Sequence, residues 1–202
     1  MTLDKILPFT KYLLKKSVAE GDSAIDATCG NGNDTVFLSH LVGNKGRIFA
    51  FDVQKEAIES TEKKLKEAGI KNVDLILDGH ENVLHYVDCE ISAAIFNLGY
   101  LPGSDKQVTT SGATTWNAVI DMLSLLKVGG IIILVIYHGR EEGKVERDEI
   151  EAAITTLDPS QIDVLRYEFL NRKNAPYVIA IEKRTIISAK HASKCHYSAG
   201  KL

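Results

Sequence analysis

Residues 26–35 read Asp26-Ala27-Thr28-Cys29-Gly30-Asn31-Gly32-Asn33-Asp34-Thr35. A short apolar run, Ser23-Ala24-Ile25, leads into this stretch, and a helix-like segment, residues 36–41, leads out of it. A strand ending in a carboxylate, then a Gly-X-Gly turn, then a helix N-terminus makes a cradle for an adenosine-bearing cofactor. Gly30 and Gly32 allow positive φ and close approach of backbone to a ligand, while Asn31, Asn33 and Asp34 offer polar groups and a cap for the helix. The following strand, Gly46 to Asp52, ends in an acid about 20 residues after the glycines, the position from which a carboxylate accepts the ribose hydroxyls.

The turn also discriminates between cofactors. A dinucleotide fingerprint needs a third glycine three positions after the second, and that position is Thr35. A pyrophosphate, and with it a nicotinamide-dependent oxidoreductase, is thereby disfavoured. S-adenosyl-L-methionine carries no phosphate; Asp26 is placed to take its ammonium, and the loop amides and side chains, from Thr28 to Thr35, its carboxylate.

Outward from the loop, strands and helices alternate. Strands are predicted over 22–27, 46–52, 72–77, 91–97, 130–137, 161–169 and 176–183, with helices over 33–42, 54–68, 112–126 and 145–156 and a short helical piece near 80–86. Such alternation demands crossover connections and a mainly parallel sheet covered on both faces. The runs Ser92 to Phe96 and Ile131 to Ile136 are near-continuously apolar, as strands buried on both sides should be. The last two strands follow each other without a helix and imply an antiparallel hairpin on one edge. The expected fold is therefore α/β, the Rossmann-like class I methyltransferase arrangement of seven strands with helices on both faces. Residues 1–185 form the domain, residues 1–20 are a helical cap that Pro8 divides or kinks, and residues 186–202 are expected to be a disordered tail.

Composition narrows the class further. The chain has 202 residues, 45% hydrophobic and 25% charged, with a formal charge of -3, which suits one globular domain and argues against a dedicated sequence-independent nucleic-acid binder. Local basic clusters, represented by Lys15, by Arg140 and Lys144, and by Arg172, still offer a footprint for RNA. No run is long enough to span a bilayer and no signal-peptide pattern begins the chain, so the expected location is cytoplasmic, with no membrane partner. Cys29, Cys89 and Cys195 form no paired motif; structural thiols and no metal site are expected.

Ligands of an open parallel sheet gather at the carboxyl ends of its strands. These ends supply Asp26, Asp52 with Gln54, Asp78 with His80, Asn97 to Pro102, and Tyr137-His138. Asp78 is placed to meet an adenine amino group. Asn97-Leu98-Gly99-Tyr100-Leu101-Pro102 is similar to the Asn/Asp-Pro-Pro-Tyr loop of amino-group methyltransferases, with Leu98 and Gly99 standing where prolines are usual. In such loops the Asn carbonyl accepts from the target amine and aligns its lone pair, and Tyr100 is positioned to stack on a base. His138, with Tyr137 as orienting partner, is the candidate to accept the proton that an alkyl ammonium must lose.

Taken together, DATCGNGNDT, DGHEN, FNLGYLPGSDK, the threonine-rich residues 109–115, YHGREEG and FLNRKNAPYVIAIEK resemble one bacterial family, the rRNA methylases, whose characterised members methylate the aminomethyl group of the wobble uridine in tRNA. The similarity runs over about residues 1–184. The resemblance implies an S-adenosylmethionine-dependent N-methyltransferase that converts 5-aminomethyl-2-thiouridine at tRNA position 34 into its methylaminomethyl form. It implies cofactor roles for Asp26, Asn31, Asn33, Asp52, Gln54 and His80, acceptor-side roles for Asn97, Tyr100 and His138, and the tRNA anticodon arm as partner, and it leaves room for a homodimer. Residues and spacing alone reach only a cofactor-binding α/β enzyme with an amine-type acceptor loop. A small-molecule methyltransferase, another RNA as acceptor, and a catalytically inactive RNA-binding module stay open on that basis.

Overall fold

The computed structural model describes residues 2–98, 111–139 and 141–186. Tyr100, Arg140 and nearly all of the expected tail, including Cys195, lie outside them. Seven strands form one sheet: β1 (Ser23–Asp26), β2 (Arg47–Asp52), β3 (Val73–Leu77), β4 (Ile91–Leu98), β5 (Leu126–Ile136), β6 (Ile162–Tyr167) and β7 (Tyr177–Lys183). Their order is β3-β2-β1-β4-β5-β7-β6. The first five strands are mutually parallel, and β7 runs antiparallel to both of its neighbours. The C-terminal hairpin is present as expected, but its second strand enters the sheet between β5 and β6. That placement follows from burial. Five of the seven residues of β7 are buried apolar or aromatic groups, Tyr177 to Ile181, whereas β6 exposes Asp163 to Arg166 and takes the edge.

Two apolar layers hold the helices to the sheet. On one face Phe49, Phe51, Phe96 and Tyr177 pack with Trp116 and Met122 of α4 (Gly112–Leu125) and Ile150 of α5 (Glu141–Ile154). On the other, Ile48, Ile95, Ile133 and Val178 meet Leu14 of α1 (Ile6–Ser17) and Leu38 and Val42 of α2 (Asn33–Val42), with α3 (Lys55–Glu67) beside α2. Each such large side chain contributes roughly 1.5–3 kcal/mol by burial, so alternate residues of the central strands secure one helical layer each.

Three boundaries differ from expectation. Pro8 does not divide α1. It occupies the first turn, behind the Lys5 cap, where the missing amide hydrogen costs no helical bond. β5 starts at Leu126, directly after α4, because Gly129, at φ 79°, turns the chain through an irregularity in the β4–β5 register and lets the strand begin earlier. α5 begins at Glu141, close behind the end of β5. No helix among the described residues is long and apolar enough to cross a membrane.

Candidate active site

The carboxyl ends of β1, β2 and β4 meet around the glycine loop. Gly30 and Gly32 both have positive φ, 49° and 72°. Gly32 caps α2 in the left-handed conformation, and a Cβ there would stand 2.9 Å from Thr61 Cγ2 of α3. Glycine is thus required twice over, by backbone angle and by the closeness of α3. Asp52 at the end of β2 fixes the loop: its Oδ2 accepts from the Gly30 amide at 3.0 Å and its Oδ1 from the Gln54 amide at 3.0 Å. Thr61 Oγ1 donates to the Gly30 carbonyl at 2.9 Å and closes the loop from the helix side.

Neither asparagine of the loop caps α2, contrary to expectation. The cap residue is Gly32, which has no side chain, and both asparagines turn toward α3. Asn31 Oδ1 accepts from Ser60 Oγ at 3.2 Å and Asn33 Oδ1 from Lys64 Nζ at 2.6 Å. The polar side chains of α3 lie within reach and outcompete a cap that the left-handed turn does not present.

Asp26 is wholly buried at the end of β1. Its Oδ2 accepts from Thr35 Oγ1 at 2.6 Å and its Oδ1 from the Thr28 amide at 3.3 Å. Desolvation, followed by the neighbouring charge of Asp34, pushes its carboxyl up to about 7. Asp34 itself holds the end of β4: its Oδ2 accepts from Asn97 Nδ2 at 2.8 Å, while the Asn97 amide donates to Thr28 Oγ1 at 2.7 Å. Two bonds therefore tie the end of β4 to the glycine loop. Committing Nδ2 to Asp34 leaves the Asn97 carbonyl oxygen as the acceptor at this rim. The Tyr137 ring stands nearby at the end of β5, its hydroxyl pKa raised by burial and then by Asp34.

Other strand-end residues are placed less simply. The carboxylate of Asp78 is taken up locally: Oδ1 accepts from the Gly79 amide and Asn82 Nδ2, and Oδ2 from Tyr86 Oη, so it braces the 3-10 helix His80–His85. These bonds hold its carboxyl below the usual range. His80 is buried edge-on to Phe96, with Nδ1 3.1 Å from the Ala27 carbonyl. Burial lowers its pKa, so the ring is neutral with Nδ1–H donating, and Nε2 is left without a partner among the described residues. The His138 ring packs against Tyr177 at 5.5 Å between centroids, and its buried Nδ1 has no partner among the described residues. Tyr177 is the aromatic neighbour of this ring. Cys29 is buried, its thiol driven up by desolvation and by Asp26 and Asp52, which suits a structural thiol. No group of three His, Cys, Asp or Glu side chains among the described residues is placed to hold a metal.

The basic candidates do not share one patch. Lys144 lies in the first turn of α5, close to the rim, and Arg172 in the β6–β7 loop. Lys15 sits one half-turn before Ser17, whose hydroxyl donates to the Ser92 carbonyl at the start of β4, so it lies toward the amino ends of the strands, away from the rim. Thr61, Ser60 and Lys64 are site residues that sequence reasoning missed, and no local signal marks them.

The Putative rRNA methylase family model matches residues 48–183. A solved structure from Clostridium thermocellum, described as a putative rRNA-methylase, is 43% identical and superposes with a TM-score of 0.89, covering 91% of this chain and 100% of that one. A Streptococcus mutans protein, described as a putative methyltransferase and solved in complex with SAH (S-adenosylhomocysteine), is 41% identical with a TM-score of 0.83, covering 90% of this chain and 99% of that one. The chloroplastic tRNA (mnm(5)s(2)U34)-methyltransferase of Arabidopsis thaliana is 38% identical over 178 residues, which is 83% of this chain. The chain spans 65% of that plant relative's own length.

Proposed function

The chain belongs to the Putative rRNA methylase family, and from that premise we propose that it is an S-adenosyl-L-methionine-dependent N-methyltransferase whose acceptor is the primary amine of 5-aminomethyl-2-thiouridine at tRNA position 34, giving 5-methylaminomethyl-2-thiouridine. Support for the donor comes from the Streptococcus mutans relative solved with S-adenosylhomocysteine, and for the acceptor from the plant relative's name. The observation that carries the reading is the bond from Asn97 to Asp34. It sets an amide carbonyl, a group suited to an amine N–H, beside a glycine loop suited to a nucleoside.

The residues present fit the donor. Gly30 and Gly32 bring two positions without a Cβ into the loop, Asp52 keeps lone pairs beyond the two that accept the Gly30 and Gln54 amides, and His80 Nε2 has no partner among the described residues. When bound, the donor supplies an already activated methyl group on a sulfonium. The chain's own part is then alignment and exclusion of water. Asn97 Oδ1 accepts from the amine and turns its lone pair toward the methyl group, with Asp34 fixing the amide. The acceptor enters as an alkyl ammonium of pKa about 10, so a proton must leave, and His138 is the group assigned to take it.

Asp52→Ala is expected to weaken donor binding by about 2 kcal/mol, roughly thirtyfold, through loss of one charge-assisted bidentate contact. Titration calorimetry measures this directly. Donor affinity equal to that of the wild type would remove Asp52 from the ribose. The whole reading is tested with tRNA from a strain lacking this gene, incubated with purified protein and methyl donor, followed by mass analysis of nucleosides. The expected result is conversion of the aminomethyl to the methylaminomethyl uridine. Unchanged aminomethyl uridine, with label entering ribosomal RNA or a small-molecule amine, would move the acceptor while keeping the donor.

A further inference from the structure

We propose that an aromatic and basic strip running from the β6–β7 loop onto α1 is the surface that holds an RNA hairpin while its target base reaches Asn97; this inference rests on the RNA reading above. Phe9 of α1 stacks on Tyr167 at the end of β6, with centroids 3.9 Å apart, and Tyr12 continues the row beyond Phe9 at 6.3 Å. On the loop side Phe169 meets Tyr167 edge-on at 5.8 Å, and the Arg172 guanidinium lies 4.4 Å over the Phe169 ring. Phe9 and Tyr167 pack α1 against the sheet. Tyr12, 50% exposed, and Leu170, 92% exposed at the loop, extend past what that packing needs.

Charge points to a polyanion. Beside the rings stand Lys16, whose Nζ lies 5.5 Å over the Tyr12 ring, and Arg172 with Lys173, in a chain of net charge -3; Lys11 and Lys15 turn instead toward Phe37 of α2. Stacking faces interleaved with cations are what unpaired nucleotides require: sequence-tolerant ring contacts and phosphate neutralisation. A protein partner would sooner call for an apolar patch with few charges at its core.

The sheet register relates the strip to the site. Asn97 pairs with Val135, Val135 with Val178, and Val178 with Tyr167, so these four residues form one row across β4, β5, β7 and β6. Val135, Val178 and Tyr167 belong to the layer covered by α1 and α2, and Asn97 joins them through Asp34 of α2. Tyr167 is therefore on the same face and the same rim as Asn97, three strand spacings or about 14 Å away.

The test uses the full chain and a synthetic RNA hairpin with an unpaired loop, with a fully paired duplex of equal length as control. The double variant Arg172→Glu/Lys173→Glu should raise the hairpin dissociation constant at least about tenfold and flatten its salt dependence by about two phosphate contacts. Tyr12→Ala should weaken the hairpin about fivefold or more and the duplex much less. Donor affinity and melting temperature should match the wild type in both. Hairpin binding within twofold of wild type in both variants, by a protein that binds donor and RNA, overturns the strip and leaves the RNA reading standing. A wild-type protein that binds donor and does not bind the hairpin overturns the strip and the RNA reading together.

Discussion

Asn97→Ala is expected to slow methyl transfer about a hundredfold or more, the cost of a reacting group misplaced by about an ångström, while donor affinity stays near that of the wild type. The reason lies in how the residue is held. Its backbone amide donates to Thr28 Oγ1, a bond that alanine keeps, and β4 remains pinned between β1 and β5 with Ile91 to Phe96 buried. Only the side-chain amide disappears, together with the bond that orients it on Asp34. An in-line displacement leaves the enzyme little to do besides alignment, so loss of the aligning carbonyl falls on kcat. Single-turnover transfer with saturating donor, beside calorimetric donor titration, separates the two quantities. A variant that binds donor weakly but transfers normally once loaded would place Asn97 on the donor side. Asn97→Asp should be no rescue, because it sets a second carboxylate against Asp34.

Much of this architecture can be read along the chain because the sheet is buried on both faces. Strands such as β4 and β5 are then apolar over most of their length, and their carboxyl ends are marked by polar residues: Asp52 at the end of β2, Asn97 near the end of β4, Tyr137 after β5. What local pattern cannot supply is the order in which strands pair. The hairpin of β6 and β7 is visible as two strands without a helix between them, yet only the burial contrast between Tyr177–Ile181 and Asp163–Arg166 explains why the later strand lies inside. Pro8 shows the same limit at a boundary. Its meaning depends on whether the helix begins two residues before it or five, and the Lys5 cap decides that.

The site was legible where chemistry follows the strand ends and illegible where it crosses between helices. Gly30, Gly32 and Asp52 announce themselves by spacing, and the Asp52 bond to the Gly30 amide shows why that spacing is kept. Asn31 and Asn33 have the composition of a cap, but α3 lies alongside and takes their side chains through Ser60 and Lys64. Asp78 illustrates a similar competition: an acid at a strand end suits a ligand, and the three donors within eight residues suit it better still as a brace. Thr61, more than 30 residues from the loop it closes, carries no mark at all in the sequence.

The stability of the protein is expected to fall as pH rises from about 4 to about 7, and Asp26→Asn is expected to remove that part of the dependence. Unfolded, the Asp26 carboxyl ionises near its ordinary value of about 4; folded, it is pushed up to about 7, first by desolvation and then by Asp34. Between those values the folded state holds a proton that the unfolded state has released. Protons bound in excess by the folded state stabilise it at low pH, so this contribution is complete below about 4, declines by at most about 1.4 kcal/mol per pH unit, and is gone above about 7. Summed over the window it amounts to several kcal/mol. Urea unfolding of the wild type and of Asp26→Asn at stepped pH isolates this group from the other carboxylates, because all of those are shared. Parallel curves for the two proteins would show that Asp26 is ionised throughout. The same displacement carries a consequence for binding: a donor ammonium at Asp26 requires the carboxylate, so it must expel the proton below about 7, and donor affinity should rise with pH over that range. Proton release measured by calorimetry in buffers of different ionisation enthalpy checks that step, and its absence at pH 6 would move the ammonium away from β1.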